Sequence, residues 1–352
     1  MKNRHLPLIL FMIVATSLGC EPFEFDFSQD IELVDRTVYP AVDVQALEEQ
    51  GGVAAGATLP LGSFGGSSGE AVTYEIDNPE VLELSTMKNG DAHFLARKTG
   101  LARVIAKQGD KVAEVEVSVK PISASRVDLY PWHQFVQLPA FLWETGVAIF
   151  TSTNVTLAGV HMNSAGQVLG GFGATQWSIT GEEESQGVIM NKDLSDMVVY
   201  RSPGEPGIRE EIRFGSSPPI ELESVAVDQV AFISLYVAES FLDTTKGNIV
   251  EDGDSVDVST TSMLHLVLQT EDGRYITGTG GHSFEIVDAE TGEDLSGGFN
   301  SQGTEGSMLH AGRAAFLQEV TPGVSVDATV RWGEHSLNVT LSGVSSTPET
   351  NP

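Results

Sequence analysis

The chain has 352 residues and is strongly acidic, with 49 Asp and Glu residues against 19 Lys and Arg residues and a formal net charge of −30 at pH 7. A field of this sign repels phosphate backbones and anionic lipid surfaces, which argues against nucleic acid as a partner. The single cysteine excludes a scaffold held by intramolecular disulfides, so each domain must bury enough apolar surface by itself.

The N-terminus has the pattern of an export signal. Lys2 and Arg4 precede an apolar stretch that runs from Leu6 to Ala15. This stretch is shorter than the roughly 20 residues that a helix needs to cross a bilayer. Residues 1–19 are therefore predicted to form a cleaved signal peptide.

The only cysteine follows directly. Ser17, Leu18 and Gly19 precede Cys20, and this stretch resembles the lipobox of bacterial lipoproteins, in which a peptidase cuts before a cysteine that carries diacylglycerol. The family usually places Leu before the small residue, whereas Ser17 and Leu18 stand in the reverse order. The resemblance implies that Cys20 is acylated and anchors the mature chain in a membrane. The alternative is an ordinary signal peptide cut nearby, with Cys20 as a bystander.

A short pattern repeats at domain-sized spacing. Tyr74, Trp177 and Phe284 are each followed two residues later by Ile, and they lie 103 and 107 residues apart. Each is later followed by a closing stretch in which apolar and polar residues alternate, as in a half-buried strand; the closing stretches are residues 112–119, 220–227 and 337–344. The repetition predicts three tandem copies of one all-β fold, with the three aromatic residues in the cores.

The first copy shows the pattern most clearly. Residues 72–121 contain Tyr74, an Asn-Pro turn, Gly90 before the next strand, and a further strand that begins at Gly100. This order resembles the bacterial immunoglobulin-like (Ig-like) domain, group 2, which is common in bacterial surface proteins. The resemblance implies an all-β chain of three tandem Ig-like β-sandwich domains after a cleaved signal peptide, the third domain being the most divergent.

The closing strands give the predicted domain limits. The predicted parts are the lipoprotein signal peptide at 1–19, a tether at 20–29, Ig-like domains at 30–121, 122–228 and 229–344, and a disordered tail at 345–352. Short connectors between the copies indicate a stiff rod rather than domains on flexible linkers. Within the third copy, Asp272-Gly273 lies between two strand-like runs and predicts a tight hairpin.

Aromatic residues in the second copy form the first candidate binding surface. Tyr130, Trp132 and Trp143 lie in a stretch without clean alternation. Exposed aromatic side chains there would bind a sugar or a protein partner. The alternative is that they pack at the junction between the first and second copies.

An acidic turn is the candidate metal site. Asp252, Asp254 and Asp257 precede a predicted strand, and clustered carboxylates can supply oxygen ligands to a structural Ca²⁺ ion. A solvated turn is the alternative in so acidic a chain. No other metal or cofactor is predicted.

One enzyme motif occurs. Residues 65–69, Gly-Gly-Ser-Ser-Gly, match the G-x-S-x-G nucleophile elbow, which must lie between a strand and a helix. No helical pattern follows Ser67, so the chain is predicted not to be an enzyme, and a hydrolase with an unrecognised site is the alternative of another class.

These observations predict a non-enzymatic, membrane-anchored lipoprotein of the cell envelope, in the outer membrane of a Gram-negative bacterium. They do not distinguish the cell surface from the periplasmic face of that membrane. Its Ig-like rod is predicted to bind an extracellular or envelope protein or polysaccharide, or to act as a spacer. The alternative within the same class is a surface adhesin stiffened by calcium.

Overall fold

Strands account for nearly all regular structure in the described part of the chain. The computed structural model describes residues 31–36, 51–65, 71–88, 91–130, 146–181, 187–191, 195–240, 243–278, 282, 284–297, 313–317 and 320–345. Within these ranges there are 27 β-strands and one turn of 3-10 helix at Val227–Gln229. The prediction of an all-β chain is confirmed.

Unit 1 is a sandwich of two four-stranded sheets. Its strands are β1 Ile31–Asp35, β2 Val53–Ala54, β3 Thr58–Gly65, β4 Thr73–Ile76, β5 Leu82–Lys88, β6 Asp91–Ala96, β7 Gly100–Gln108 and β8 Lys111–Lys120. One sheet has the order β1-β3-β6-β5 and the other has the order β2-β8-β7-β4. Apart from the parallel pair β2 and β8, neighbouring strands are antiparallel. This is the arrangement of an Ig-like sandwich, in which an A-B-E-D sheet faces a sheet containing strands G, F and C.

Alternation along the strands of unit 1 builds its core. In β7 and β8 the inward residues are small or β-branched, such as Val104 and Val117, and both are fully buried. Phe94 of β6 and Leu59 of β3 fill the centre of the same core from the opposite sheet. Period-two patterning therefore places one face of each sheet against the other.

Unit 2 repeats the same strand order. Its strands are β9 Ala124–Tyr130, β10 Val147–Phe150, β11 Asn154–Met162, β12 Val168–Leu169, β13 Trp177–Thr180, β14 Val188–Asn191, β15 Met197–Arg201, β16 Arg209–Phe214 and β17 Ile220–Val225. One sheet contains β9, β11, β15 and β14, with β12 paired to the end of β11. The other contains β13, β16, β17 and β10, and β10 is parallel to β17 just as β2 is parallel to β8.

Unit 3 is a third sandwich with one additional edge strand, Asp243–Val250. Its strands are β18 Phe232–Ser240, β19 Asp243–Val250, β20 Ser255–Val258, β21 Met263–Gln269, β22 Tyr275–Thr277, β23 Phe284–Asp288, β24 Ser296–Gly297, β25 Ala314–Leu317, β26 Ser325–Trp332 and β27 His335–Gly343. β20, β27, β26 and β23 form one sheet, with β20 parallel to β27. The predicted hairpin is present between β21 and β22, and Gly273 at its turn has a φ of 82°.

Units 2 and 3 share a sheet. β10 is parallel to β17 of unit 2 on one side and to β22 of unit 3 on the other, which joins strands of both units in one ten-stranded sheet. The domain limits near Pro121 and Asp228 stay a prediction. In the structure, backbone hydrogen bonds link the strands on either side of both positions.

The shared sheet has one core on each face. Val147 and Ile149 of β10 pack in a core that also holds Tyr236 of unit 3, whereas Ala148 and Phe150 pack in the main core of unit 3. Consecutive residues of a strand point to opposite faces. All four residues of β10 are therefore buried, and the usual alternation of apolar and polar residues is lost.

Candidate functional site

Several residues singled out in the sequence lie outside the described residues. These are Cys20, Ser67, Trp132 and Trp143, together with the predicted signal peptide and tether. Tyr130 is the last residue of β9, where its backbone pairs with Thr156, and its side chain is not described. The predictions for lipidation and for the aromatic binding surface therefore stay predictions.

The three repeated aromatic residues occupy the same strand of each unit. Tyr74, Trp177 and Phe284 begin or lie within β4, β13 and β23, each of which is the edge strand next to β7, β16 or β26. Phe284 is 3% exposed and belongs to the core of unit 3, whereas Tyr74 and Trp177 are half-buried. The Tyr74 ring meets Phe94 edge-on at 5.9 Å, and the Trp177 ring packs against Phe214 at 5.0 Å.

The acidic turn before β20 is held by its own hydrogen bonds. The Asp252 carboxylate accepts the backbone N–H of Asn338 at 2.7 Å, and the Asp254 carboxylate accepts the backbone N–H of Glu251 at 3.0 Å. Asp257 is exposed on β20. Across the described ranges, no three His, Cys, Asp or Glu side chains come together in a way that could hold a metal ion. The calcium alternative therefore gains no support from this turn.

Units 1 and 2 meet along one edge of β2. The backbone N–H of Gly170 donates to Gly52 O at 2.8 Å, and Ala54 N–H donates to Gly170 O at 3.1 Å. Thr58 and Phe172 exchange two further backbone hydrogen bonds, at 2.7 and 3.0 Å. The segment that follows strand β12 thus adds to the edge of a sheet in the preceding unit.

Units 2 and 3 meet at the equivalent edge strand, β10, through a longer run of paired residues. β22 pairs with β10 over three residue pairs, from Val147 with Tyr275 to Ile149 with Thr277. Strand β10 of unit 2 corresponds to β2 of unit 1, and β22 of unit 3 corresponds to β12 of unit 2. The same junction is therefore built twice, once by single bridges and once by a ladder.

Charged side chains reinforce the second junction. The guanidinium of Arg274, which follows the β21–β22 turn, donates to the Glu223 carboxylate of β17 at 2.6 Å, and Arg209 donates to the same carboxylate at 2.7 Å. Burial alone lowers the pKa of Arg274, but hydrogen bonds to Glu223 and Asp272 outweigh it and raise that pKa. Hydrogen bonds from Thr270 and Arg274 lower the pKa of Asp272.

A buried arginine lies beside the same junction. Arg313 is 1% exposed and its Nη1 donates to the carbonyl of Ile276 in β22 at 2.6 Å. Its guanidinium lies over the ring of Phe150 in unit 2, at 5.1 Å from the centroid. Burial lowers the pKa of Arg313 to about 10 and raises that of the neighbouring Tyr275 to about 12. Arg313 therefore links units 2 and 3 by a buried cation–π contact.

An open cleft lies where the chain passes from unit 2 to unit 3. We call it the 2–3 cleft; its volume is about 750 Å³, and it is lined by Val225, Asp228, Gln229, Val230, Ala231, Phe232, Thr270, Glu271, Asp272 and Arg274. One wall is the connection between β17 and β18, and the other is the turn between β21 and β22. Ala231 N–H donates to Gln269 O at 2.9 Å, which ties the two walls together.

Sequence reasoning did not find the 2–3 cleft. Residues 229–232 have only the pattern of a short connector between the second and third copies, and Asp272-Gly273 predicts only a hairpin. A usable signal lay in β10, where the consecutive apolar residues Val-Ala-Ile-Phe indicate burial on both faces. A strand of this kind must be covered by two layers, and the second layer comes from unit 3.

The chain is similar to known proteins in structure but not in sequence. No protein-family model matches this chain, and no curated protein matches it in sequence. Among solved structures, it is similar to domains 4–9 of the surface layer protein SbsC, with a TM-score of 0.31, 16% identity, and coverage of 91% of this chain and 48% of that one. This chain thus spans about half of that structure.

Two further structures show similar values. The Escherichia coli adhesin FdeC has a TM-score of 0.22 and 14% identity, over 89% of this chain and 97% of that chain. Invasin, a bacterial integrin-binding protein, has a TM-score of 0.23 and 13% identity, over 90% of this chain and 60% of that chain. The assignment of tandem Ig-like sandwiches rests on the strand order described above. In the described part of the chain, no helix is long and apolar enough to span a membrane.

Proposed function

We propose that this chain is an exported, lipid-anchored, non-enzymatic protein of the bacterial envelope, in the outer membrane, with Cys20 as the acylated residue. Its Ig-like array either carries a binding surface away from the membrane or spaces another component from it. The observation that carries the proposal is the lipobox-like sequence before Cys20, placed ahead of three successive Ig-like sandwiches.

The junctions support a role that needs a fixed extension. Units 2 and 3 each form backbone hydrogen bonds with the edge of the unit before them, and the second junction adds a shared sheet and ion pairs. Hydrogen-bonded junctions resist bending better than a flexible linker does. An array of this kind holds its third unit in a defined orientation relative to its first, which suits both presentation of a ligand site and spacing.

The group 2 assignment is part of the proposal. It relies on the order of the aromatic residue, Asn-Pro turn and glycines in residues 72–121. Tyr130, Trp132 and Trp143 are the proposed aromatic contact surface for a protein or polysaccharide, because aromatic side chains contribute large contact areas at low entropic cost.

The proposal is tested by membrane fractionation and protease treatment of intact cells. The native chain is expected in the membrane fraction, and a Cys20→Ser variant is expected in the soluble fraction at the same expression level. Equal membrane retention of both forms would contradict lipid anchoring at Cys20. Digestion of the native chain in intact cells would indicate a surface location, whereas protection until the outer membrane is opened would indicate the periplasmic face.

A further inference from the structure

We infer that the guanidinium of Arg313, buried at the junction of units 2 and 3, binds a small inorganic anion of about the size of chloride. The anion accepts hydrogen bonds from Nε and Nη2 of this side chain. The site is internal and concerns how the two units are held together, so the inference goes beyond the proposed envelope function and does not depend on it.

Two of the three guanidinium nitrogen atoms have no partner in the protein. Nη1 donates to the carbonyl of Ile276 at 2.6 Å, whereas Nε and Nη2 of Arg313 are buried and make no hydrogen bond. A buried donor without an acceptor costs free energy, and a charged donor costs more than a neutral one. Such groups are rare in folded proteins and indicate a bound ion or water molecule.

The two free donors converge on one point. A guanidinium is planar, and its Nε–H and one Nη2–H lie on the same edge and point in the same direction. This edge is the fork with which arginine binds an anion through two parallel hydrogen bonds. Because Nη1 is already bonded to Ile276, the fork of Arg313 is left for a single acceptor.

The charge of Arg313 is not balanced within the described part of the chain. Tyr275 is the titratable side chain that acts on the pKa of Arg313. The pKa of Tyr275 is itself raised to about 12, so this phenol is neutral at pH 7. Burial lowers the pKa of Arg313 to about 10, so the guanidinium is charged at pH 7. The Phe150 ring below it attracts a cation but carries no net charge.

The backbone and the neighbouring strand hold the fork in place. Arg313 O accepts the N–H of Leu266 at 2.7 Å, and the next residue, Ala314, pairs with His265 at the start of β25. The far end of the side chain is held by the hydrogen bond to Ile276. Donors fixed in this way lose little conformational entropy when an anion binds.

The charge and the burial together favour a small anion over water. A water molecule can accept both hydrogen bonds, but it leaves the positive charge uncompensated. An anion satisfies both donors and neutralises the guanidinium, and this attraction is strong in the apolar surroundings that Phe150 and the core of unit 3 provide. Because Arg313 is only 1% exposed, the ligand must be small enough to be enclosed with it.

The first test locates the anion directly. The probe is bromide, which replaces chloride and can be identified by X-ray diffraction at the bromine absorption edge. The full chain carrying Cys20→Ser, which removes the predicted lipid, is crystallised in sodium bromide. We expect a bromide peak within about 3.5 Å of both Nε and Nη2 of Arg313. Bromide found only at the protein surface, or a water molecule on the fork, would overturn the inference.

The second test measures the effect of chloride on stability. Urea unfolding is followed by hydrogen exchange while chloride replaces gluconate at constant ionic strength, since gluconate is too large to be enclosed. An ion that binds only the folded state lowers the unfolding constant of units 2 and 3 by about tenfold for each tenfold rise in chloride above its Kd. Unit 1, which does not contain Arg313, is the internal control and is expected to respond far less.

Variants assign the chloride effect to Arg313. Arg313→Met removes both donors and the charge and is expected to abolish the chloride dependence. Arg313→Lys keeps a charge without the fork and is expected to bind chloride roughly tenfold more weakly. The matched control is Arg331→Met, which removes an exposed arginine of the same unit and should leave the full dependence.

Equal chloride dependence in Arg313→Met and the native chain would overturn the inference, because it would reveal a general salt effect. If Arg313→Met does not fold, the bromide position and the comparison of units 1 and 3 in the native chain still decide the question. None of these measurements involves the lipid anchor, which is tested separately by fractionation of cells.

Discussion

The two junctions in this chain use equivalent strands but differ in how deeply they connect their units. Unit 1 meets unit 2 through backbone hydrogen bonds at Gly170 and Phe172. Among the described residues buried in the core of unit 1, only Leu169 comes from unit 2. Units 2 and 3 instead exchange residues between cores, since Phe150 packs in unit 3 and Tyr236 packs with unit 2. The first junction therefore joins two units with largely separate cores, whereas at the second junction each core contains residues of both units.

Two junctions built from equivalent strands can therefore contribute different free energies of unfolding. Segments with a self-contained core can unfold alone, whereas segments that share a core unfold together. We therefore expect unit 1 to form one cooperative unit and units 2 and 3 together to form another.

The largest test removes Phe150. Its side chain is 2% exposed, stacks on Trp332 at 6.1 Å and lies under Arg313. Phe150→Ala is expected to destabilise units 2 and 3 together by about 3–5 kcal/mol, because it leaves a cavity and an uncovered buried cation. Urea unfolding followed by hydrogen exchange would show both units losing protection at one midpoint.

The matched change in unit 1 is Phe94→Ala, since Phe94 is fully buried in its core. A loss of similar size is expected there, confined to amides of unit 1. If Phe94→Ala also lowered the protection of unit 3, the proposed division into two cooperative units would be wrong.

The second test uses pH. The Asp196 carboxylate is 5% exposed and accepts the N–H of Gly173, in the segment that docks on unit 1. Burial raises the pKa of Asp196 from 3.8 to about 6. The folded state therefore favours the protonated form, so the contribution of Asp196 to stability is greatest below pH 4 and is lost as the pH rises through 6.

The size of this contribution is about 2–3 kcal/mol. Asp196→Asn removes it, so the stability of the variant relative to the native chain should increase between pH 4 and pH 7. His161 has the opposite slope, because burial lowers its pKa to about 4 and its neutral form is favoured in the fold. Because both proteins contain His161, its contribution cancels in the difference between their free energies of unfolding. A difference that does not change with pH would contradict the assignment.

The third test addresses the ion pairs of the second junction. Glu223→Gln leaves Arg274 and Arg209 without their shared carboxylate, and the side chains of Glu223 and Arg274 are only 12% and 17% exposed. We expect a loss of about 2 kcal/mol in units 2 and 3. Glu221→Gln on the same strand is the control; its ion pair with Arg209 is long and exposed, so a loss below about 0.5 kcal/mol is expected. Equal losses would show that net charge, rather than the junction, is responsible.

The smallest test concerns the first junction. Gly171 has a φ of 84°, and a Cβ there would lie 2.9 Å from Ala57 Cβ and 3.1 Å from Thr58 O of unit 1. Gly171→Ala should cost about 1–2 kcal/mol and increase hydrogen exchange at Ala54 and Thr58, whose N–H groups form the junction. Gly173→Ala shares the left-handed conformation with nothing within 4 Å, and it should leave those two amides protected.

Local patterns predicted the parts of the candidate site without placing them together. The turn at Asp272-Gly273 could be predicted from the sequence, because a tight hairpin needs a residue that tolerates positive φ. The other wall carries Asp228, the last residue of the second predicted domain, and residues 229–232, which have only the pattern of a connector between copies. Their proximity depends on β18 pairing with β21, which sets Phe232 opposite Gln269, and on the ion pair between Arg274 and Glu223. No local periodicity predicts these contacts.

The all-β character of the chain, its acidic surface and the spacing of its three repeats could be predicted from the sequence, because alternation, charge and turn residues act over short distances. The sequences VAIF of β10 and SVDV of β20, the corresponding strand of unit 3, are consistent with two buried faces and with one exposed face, respectively. Which part of the chain covers the second face of β10 became known only from the fold, in which β22 of unit 3 pairs with it. A strand needs apolar residues only on faces that another layer covers, and the second layer over β10 comes from the next unit.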